Sequence, residues 1–324
     1  MKYDIQNLSN LDIPYFFDDY LIYLRTIQGR SVNTVAGYKI DIIMFFRFLK
    51  LHLYLVPSDS DFEKIDISDI DINTLKNINL NHLYSFLEFT EKYRNNGNLT
   101  RARKVAALKS FFKYICSKKK IIKENPATDL EVPKRGKRNP IYLSLEESKL
   151  LLNSISGRNK ERDFCIITLF LNCGVRLSEL CDIKIENIRD DLLIIRGKGD
   201  KERTIYLNES SLSAIEAYEN VRNNKIGIID KEYLFLSERK KRIDKRTVQT
   251  IVKKCIAKAG LDDKKYTTHK LRHTAATLLY KYGNVDIRSL QEILGHESIS
   301  TTTIYTHVDQ ETLRKAVKSN PLNN

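Results

Sequence analysis

His269, Arg272, His296 and Tyr305 fall within about forty residues of one another and supply two imidazoles, a guanidinium and a phenol. Those groups suit attack on a phosphodiester. A guanidinium binds non-bridging oxygens, an imidazole takes or gives a proton near neutral pH, and a phenol beside basic groups is a candidate nucleophile. Taken singly, each residue has a plainer reading. The chain has 17 tyrosines, most of which must serve packing, and a lone His or Arg on a helix face is usually just solvated.

The segments around these residues have the periodicity needed to position them. Thr267 or Thr268 is predicted to cap a helix whose buried stripe is Leu271, Ala275, Leu278 and Leu279, leaving His269, Arg272 and His273 on the opposite face. Groups three or four apart on a helix are neighbours and can reach one anion. Asp286 to Leu294 reads as a second amphipathic helix, with Ile287, Leu290 and Leu294 on one side and Gly295 as a left-handed cap. His296 follows that turn. Ser300 is placed to cap a short helix, Thr301 to His307, that carries Tyr305 nine residues beyond His296.

The order His-x-x-Arg, Leu-Gly-His, Tyr-Thr-His in these segments resembles the C-terminal signature of the tyrosine recombinases, in particular the bacterial Xer type. Upstream, Gly174-Val175-Arg176-Leu177-Ser178-Glu179-Leu180 is similar to that family's first arginine motif. From the residues alone, Gly174 permits a sharp turn and Arg176 opens a helix near its positive end, a place suited to an anion. Leu192 to Arg196 and Thr204 to Leu207 are β-prone runs around a Gly- and Asp-containing hairpin, Gly197 to Glu202, with Tyr233 to Leu236 as a third strand. Gly197-Lys198-Gly199 lacks the spacing of a nucleotide-binding loop, so ATP is not expected as a cofactor.

Carried over position by position, the resemblance implies catalytic roles for Arg176, Lys198, His269, Arg272, His296 and Tyr305, with Glu179 supporting Arg176. The lysine would protonate the 5′ oxygen as it leaves, and Tyr305 would form a 3′-phosphotyrosyl bond that needs neither metal nor any other cofactor. The implied fold is mainly α with a small β-sheet. A helical, SAM-like core-binding bundle (1–117), a basic linker (118–140) and a catalytic domain (141–324) would form a C-shaped clamp on DNA. The linker holds Lys118 to Lys120, Pro126, Pro133 and Lys134 to Arg138 before Pro140, and is expected to be extended along phosphate.

Composition agrees with a polyanionic partner. The 324 residues are enough for two domains, and 55 Lys and Arg against 41 Asp and Glu leave a net charge of +14. Nothing approaches the ~18 apolar residues of a membrane span, so the chain is read as cytoplasmic, with no membrane partner. Five scattered cysteines, Cys116, Cys165, Cys173, Cys181 and Cys255, suit buried thiols rather than disulfides or zinc.

In the N-terminal part four helices are predicted to share a core. The first, from Ile13, would use Tyr15, Phe16, Tyr20, Tyr23 and Leu24. The next, Val35 to Leu53, would use Ile42, Phe45, Phe46 and Leu49, with Ser31 or Asn33 as cap. Leu80 to Tyr93 is the third, and Leu99 to Ser117 the fourth, with Val105, Leu108, Phe112 and Ile115 inside and Arg101, Arg103, Lys104 and Lys109 at the surface. Ser31 to Tyr38 and Arg101 to Phe112 resemble the two most characteristic helices of the family's core-binding domain, the bundle that grips one side of the duplex. Six acidic residues between Asp59 and Asp71 would repel DNA and should face solvent or a protein partner.

Two functions within the family fit this reading: chromosome dimer resolution, and integration of a mobile element. The short N-terminal region favours the Xer-like form. The partners it implies are a duplex with paired half-sites, a homo-tetramer or a paired recombinase in the synapse, and a cell-division DNA translocase. A type IB topoisomerase shares the chemistry, and a DNA-binding protein without chemistry shares the basic surface. The full set of six site residues argues against the latter. A last helix in Val308 to Asn324, with Leu313, Ala316 and Val317 at helical spacing, is expected to pack into a neighbouring protomer.

Overall fold

The computed structural model describes residues 12–133, 141–196, 202–283 and 285–295. The chain divides into two compact units, 1–137 and 138–324. No described helix is long and apolar enough to cross a membrane.

The first unit holds α1 (Tyr15–Thr26), α2 (Val32–His52), a short α3 (Ile72–Lys76), α4 (Leu80–Lys92) and α5 (Asn98–Ser117). Ser31 caps α2 by accepting from the Thr34 amide. Ile42, Phe45, Phe46 and Leu49 of α2 face Val105, Leu108, Phe112 and Ile115 of α5 in one core, all fully buried. Phe111 is its hub, packing edge-on to Tyr20 at 5.3 Å and Phe46 at 5.7 Å. On α1 the buried face is Phe16, Phe17, Tyr20, Leu21 and Leu24, while Tyr15, expected inside, is exposed. The inward arc of this helix is simply wider than a single stripe.

Two further expectations for this unit are corrected. Lys104 is not at the surface. It is buried on α5 against Asp41 of α2, with Nζ to Oδ1 at 2.8 Å, and the more exposed Arg103 meets Asp41 Oδ2 at 2.8 Å. A buried lysine needs such a partner, and one carboxylate placed between two helices supplies it. Nor is the segment after α5 extended throughout, because Ile122, Ala127 and Leu130 are buried in the first core; the basic run 134–140 lies outside the described residues. The acidic side chains from Asp59 to Asp71 are exposed, interleaved with buried Ile65, Ile67 and Ile70, and three of them are ion-paired: Glu63 to Arg47 and Arg94, Asp69 to Lys50, and Asp61 to Lys64.

The second unit is built on α7 (Lys160–Cys173), whose Cys165, Ile166, Ile167, Leu169 and Phe170 are fully buried. Around it pack α6 (Leu145–Asn153), α9 (Glu209–Asn223), α10 (Lys245–Lys258) and α11 (Thr268–Tyr282). A capping box opens α6, with Ser144 N–H donating to Glu147 and the Glu147 amide to Ser144 Oγ. Phe164 of α7 is 38% exposed. After α7 come α8 (Leu177–Cys181), a sheet, and finally α12 (Ile287–Leu294).

The sheet is antiparallel in the order β1 (Ile188–Arg189), β2 (Leu192–Arg196), β3 (Glu202–Tyr206), with Leu193 opposite Ile205. The outer strand beside β2 is therefore Ile188–Arg189. Tyr233 to Leu236 makes only isolated bridges, to Lys184 and to Arg242. The buried Arg222 guanidinium donates to the oxygens of Tyr233 and Leu234, while the Phe235 oxygen accepts from the Ile243 amide.

Four cysteines are buried and Cys116 is half-buried, all as free thiols. Burial pushes Cys173, Cys181 and Cys255 up to about 11 and Cys165 higher still, which keeps them protonated and unreactive.

Candidate active site

Gly174 ends α7 at φ 57°, a left-handed conformation that turns the chain sharply into Val175 and Arg176. The turn leaves no room for a side chain, since a Cβ on Gly174 would sit 2.9 Å from Leu294 Cδ2. Arg176 then precedes α8, and Glu179 on its first turn folds back. Glu179 Oε2 accepts from the Arg176 backbone N–H at 2.7 Å and Oε1 from Arg176 Nη1 at 2.7 Å.

Glu179 is the centre of the site, only 3% exposed. Its Oε2 also accepts from Arg203 Nη2 at 2.9 Å and lies 3.9 Å from Arg272 Nη1. Burial pushes this carboxyl up, but Arg203 and Arg176 outweigh it and hold the group below the usual carboxylate range. Three guanidiniums and one carboxylate leave two positive charges in excess, enough to attract a phosphodiester and the further charge that builds on it as it reacts.

The arginines are also held by backbone. Arg176 Nη2 donates to the Gly295 carbonyl at 2.6 Å, and Arg272 donates to the carbonyls of Gly174 and Leu294, the latter at 2.6 Å. The C-terminal end of α12, capped by Gly295 at φ 61°, thus presents its carbonyls to both guanidiniums. Leu290 and Leu294 anchor α12 on Ala276 of α11. Arg272 was expected on the face of α11 opposite the buried stripe, yet it is buried, because the turn at Gly174 and the end of α12 close over it. Arg176 keeps 37% of its side chain exposed and can meet a ligand from solvent.

His269 stands exposed on the first turn of α11, with His273 packed edge-on at 4.4 Å. Partial desolvation by the surrounding protein, then Lys270 and Arg272, push its pKa below the ordinary histidine value. A neutral imidazole at pH 7 can accept a proton.

Of the six residues singled out from the sequence, the structure brings Arg176 and Arg272 together on Glu179 and sets His269 close enough to Arg272 to feel its charge. Lys198, His296 and Tyr305, and with them the expected helices at 301–307 and after Val308, lie outside the described residues. Arg203 was missed. The signal was present: on β3 it shares a face with Ile205, so an arginine stands at an inward-facing strand position.

Residues 142–312 match the phage integrase family. A tyrosine recombinase XerC of Caldanaerobacter subterraneus subsp. tengcongensis is 53% identical over 319 residues, covering 98% of this chain and 90% of that relative. A tyrosine recombinase XerC of Leptospira interrogans is 31% identical over 305 residues, covering 92% and 90%. A crystal structure of the XerH site-specific recombinase bound to a palindromic difH substrate, in a post-cleavage complex, has the same fold, with a TM-score of 0.70 over 96% of this chain and 98% of that one at 24% identity. The chain belongs to the phage integrase family and is a site-specific tyrosine recombinase of the Xer type.

Proposed function

We propose that this recombinase acts in chromosome dimer resolution, from the cytoplasm, on a duplex site of two half-sites, with Tyr305 as its nucleophile. The observation that supports the catalytic assignment best is the convergence of Arg176 and Arg272 on the buried Glu179, beside the end of α12 from which the chain continues to His296.

A phosphodiester repels nucleophiles by its charge, so the two guanidiniums neutralise the non-bridging oxygens as the fifth oxygen approaches. Their planar forks suit paired phosphate contacts. A phenol with pKa about 10 is protonated at pH 7. His269, held neutral, takes its proton, and His296 donates a hydrogen bond to the phosphate. Lys198 protonates the departing 5′ oxygen. The P–O bond to that oxygen breaks as the bond to Tyr305 forms, and the 3′-phosphotyrosyl link keeps the energy of the broken bond. A 5′ hydroxyl from a second duplex reverses the step without ATP. Exchange of one strand pair gives a Holliday junction, and exchange of the other resolves it.

The first unit is read as the core-binding domain, gripping duplex through the N-terminal parts of α2 and α5. There Arg103 is half-exposed and steadied by Asp41 and the Gly37 carbonyl. The assembly is a tetramer of this chain, or of this chain and a paired recombinase, on two sites, with a cell-division DNA translocase as activator. The name XerC, borne by relatives that match nearly the full chain, favours this role over mobile-element integration.

The test is to incubate the protein with fragments of its host genome, isolate covalent protein–DNA adducts and sequence their ends. One chromosomal locus made of two inverted half-sites is expected, with no adduct from Tyr305→Phe. Adducts at the ends of a mobile element would move the function to integration. Wild-type adduct levels from Tyr305→Phe would remove Tyr305 from the mechanism.

A further inference from the structure

Arg203 occupies β3, five residues beyond Lys198 in the sequence. Its side chain is 13% exposed and its guanidinium spans two acceptors on different elements. Nη2 donates to Glu179 Oε2 at 2.9 Å, and Nη1 donates to the carbonyl of Ile293 in the last turn of α12. Its stem covers Gly295, where an added Cβ would lie 2.7 Å from Arg203 Cδ. The left-handed cap that leads to His296 is thus shaped around this one arginine.

We propose that Arg203 is a positioning residue for strand cleavage: by holding Glu179 Oε2 and the Ile293 carbonyl in one guanidinium, it keeps Arg176 and Arg272 available to the phosphate and fixes the hairpin strand against the end of α12. The inference rests on the function proposed above. Its physical basis is competition for one buried carboxylate. Oε2 is shared by Arg203 and the Arg176 amide, while Arg272 Nη1 stays at ion-pair distance, 3.9 Å away. With Arg203 gone, a carboxylate in a low-dielectric setting would lose one of its three cationic neighbours and would draw Arg272 inward. That arginine would then have to leave a strong pair to meet the phosphate. Lysine cannot replace the fork, because a single ammonium reaches one of the two acceptors and not both.

Single-turnover cleavage is read on a nicked suicide duplex carrying the site recovered by adduct mapping, beside gel-shift affinity for one half-site and thermal melting. At saturating DNA, Arg203→Ala should slow cleavage about tenfold to a hundredfold, the usual loss when the partner that orients a reactive group is removed. Half-site affinity should change by less than the tenfold that about 1.4 kcal/mol represents. Arg203→Lys should recover part of the rate. Adding Glu179→Gln to Arg203→Ala should also recover part, since an amide no longer pulls on Arg272.

A wild-type rate in Arg203→Ala overturns the inference, and so does a parallel loss of affinity and cleavage. A double variant slower than Arg203→Ala alone overturns it too, because an arginine that merely supports the fold would behave that way. If Arg203→Ala melts below the assay temperature, Arg203→Lys carries the test: slowed cleavage with intact affinity supports the inference, and the wild-type rate overturns it. A wild-type chain that forms no adduct at the mapped site defeats the proposed function itself; a cleaving wild type with an equally fast Arg203→Ala defeats only the role of Arg203.

Discussion

Arg272 donates a hydrogen bond to the carbonyl oxygen of Gly174, the left-handed residue that ends α7, so the second arginine of the site is held by the same turn that delivers the first. The two motifs are 98 residues apart in the chain, yet one backbone kink positions both.

Gly174→Ala tests that dependence. A side chain at φ 57° costs about 1–2 kcal/mol, and the new Cβ would also press on Leu294 at 2.9 Å and so displace α12. The second unit should melt several degrees lower, at about 2–4 °C per kcal/mol for a unit of this size, and cleavage should slow. Gly29→Ala is the control: it has φ 56° and nothing within 4 Å, so it should lose a little stability and no cleavage. Equal behaviour of the two variants would disprove the coupling.

The lowered pKa of His269 sets a pH window. Because folding depresses this imidazole below 6.5, the folded chain keeps it neutral where the unfolded chain already takes a proton. Falling pH therefore subtracts stability from about the unfolded value downward. Cleavage that uses His269 as base should hold its rate through pH 6.5 and decline only below it, and His269→Gln should remove that decline. A half-maximum above pH 6.5 that survives in His269→Gln would assign the limb to another group.

Lys198→Ala should bind the site normally and cleave slowly, because the 5′ oxygen then leaves without its proton. A substrate with sulfur at the 5′ bridging position needs no protonation and should restore cleavage. If normal binding is accompanied by no rescue, Lys198 positions DNA and is not the acid.

Asp41 and Lys104 form a buried ion pair in the first unit, and Asp41 is pushed above the usual carboxylate range by burial, with Lys104 and Arg103 opposing. Lys104→Ala should be destabilising, since it leaves the buried Asp41 carboxylate with only the half-exposed Arg103 as partner, whereas Lys104→Met with Asp41→Leu should be near neutral. Urea unfolding of the three proteins gives the comparison. A double variant as unstable as the single one would mean that the pair itself stabilises the unit. The same double variant should weaken half-site binding if Asp41 steadies Arg103 for DNA.

The local chemistry of this protein was written in the sequence. Ser31 announces a helix start, Gly174 and Gly295 announce left-handed ends, and the stripe Ile42, Phe45, Phe46, Leu49 announces a buried face, because caps, φ angles and helical periodicity depend only on neighbours in the chain. The order of Arg176, Lys198, His269, Arg272, His296 and Tyr305 was enough to name a chemistry. Burial of charge was another matter. Lys104 and Arg272 lie on helix faces that periodicity assigns to solvent, and both are inside, because Asp41 on α2 in one case and the carbonyls of Gly174 and Leu294 in the other arrive from distant segments. Tyr233 to Leu236 has the composition of a strand, yet among the described residues it makes only isolated bridges, with Arg222 on the carbonyls of Tyr233 and Leu234. The place of Arg203 beside Glu179 was likewise decided only when β3, α8 and α12 met. A charged group is buried only where partners from other segments converge on it, and that convergence exists only in three dimensions.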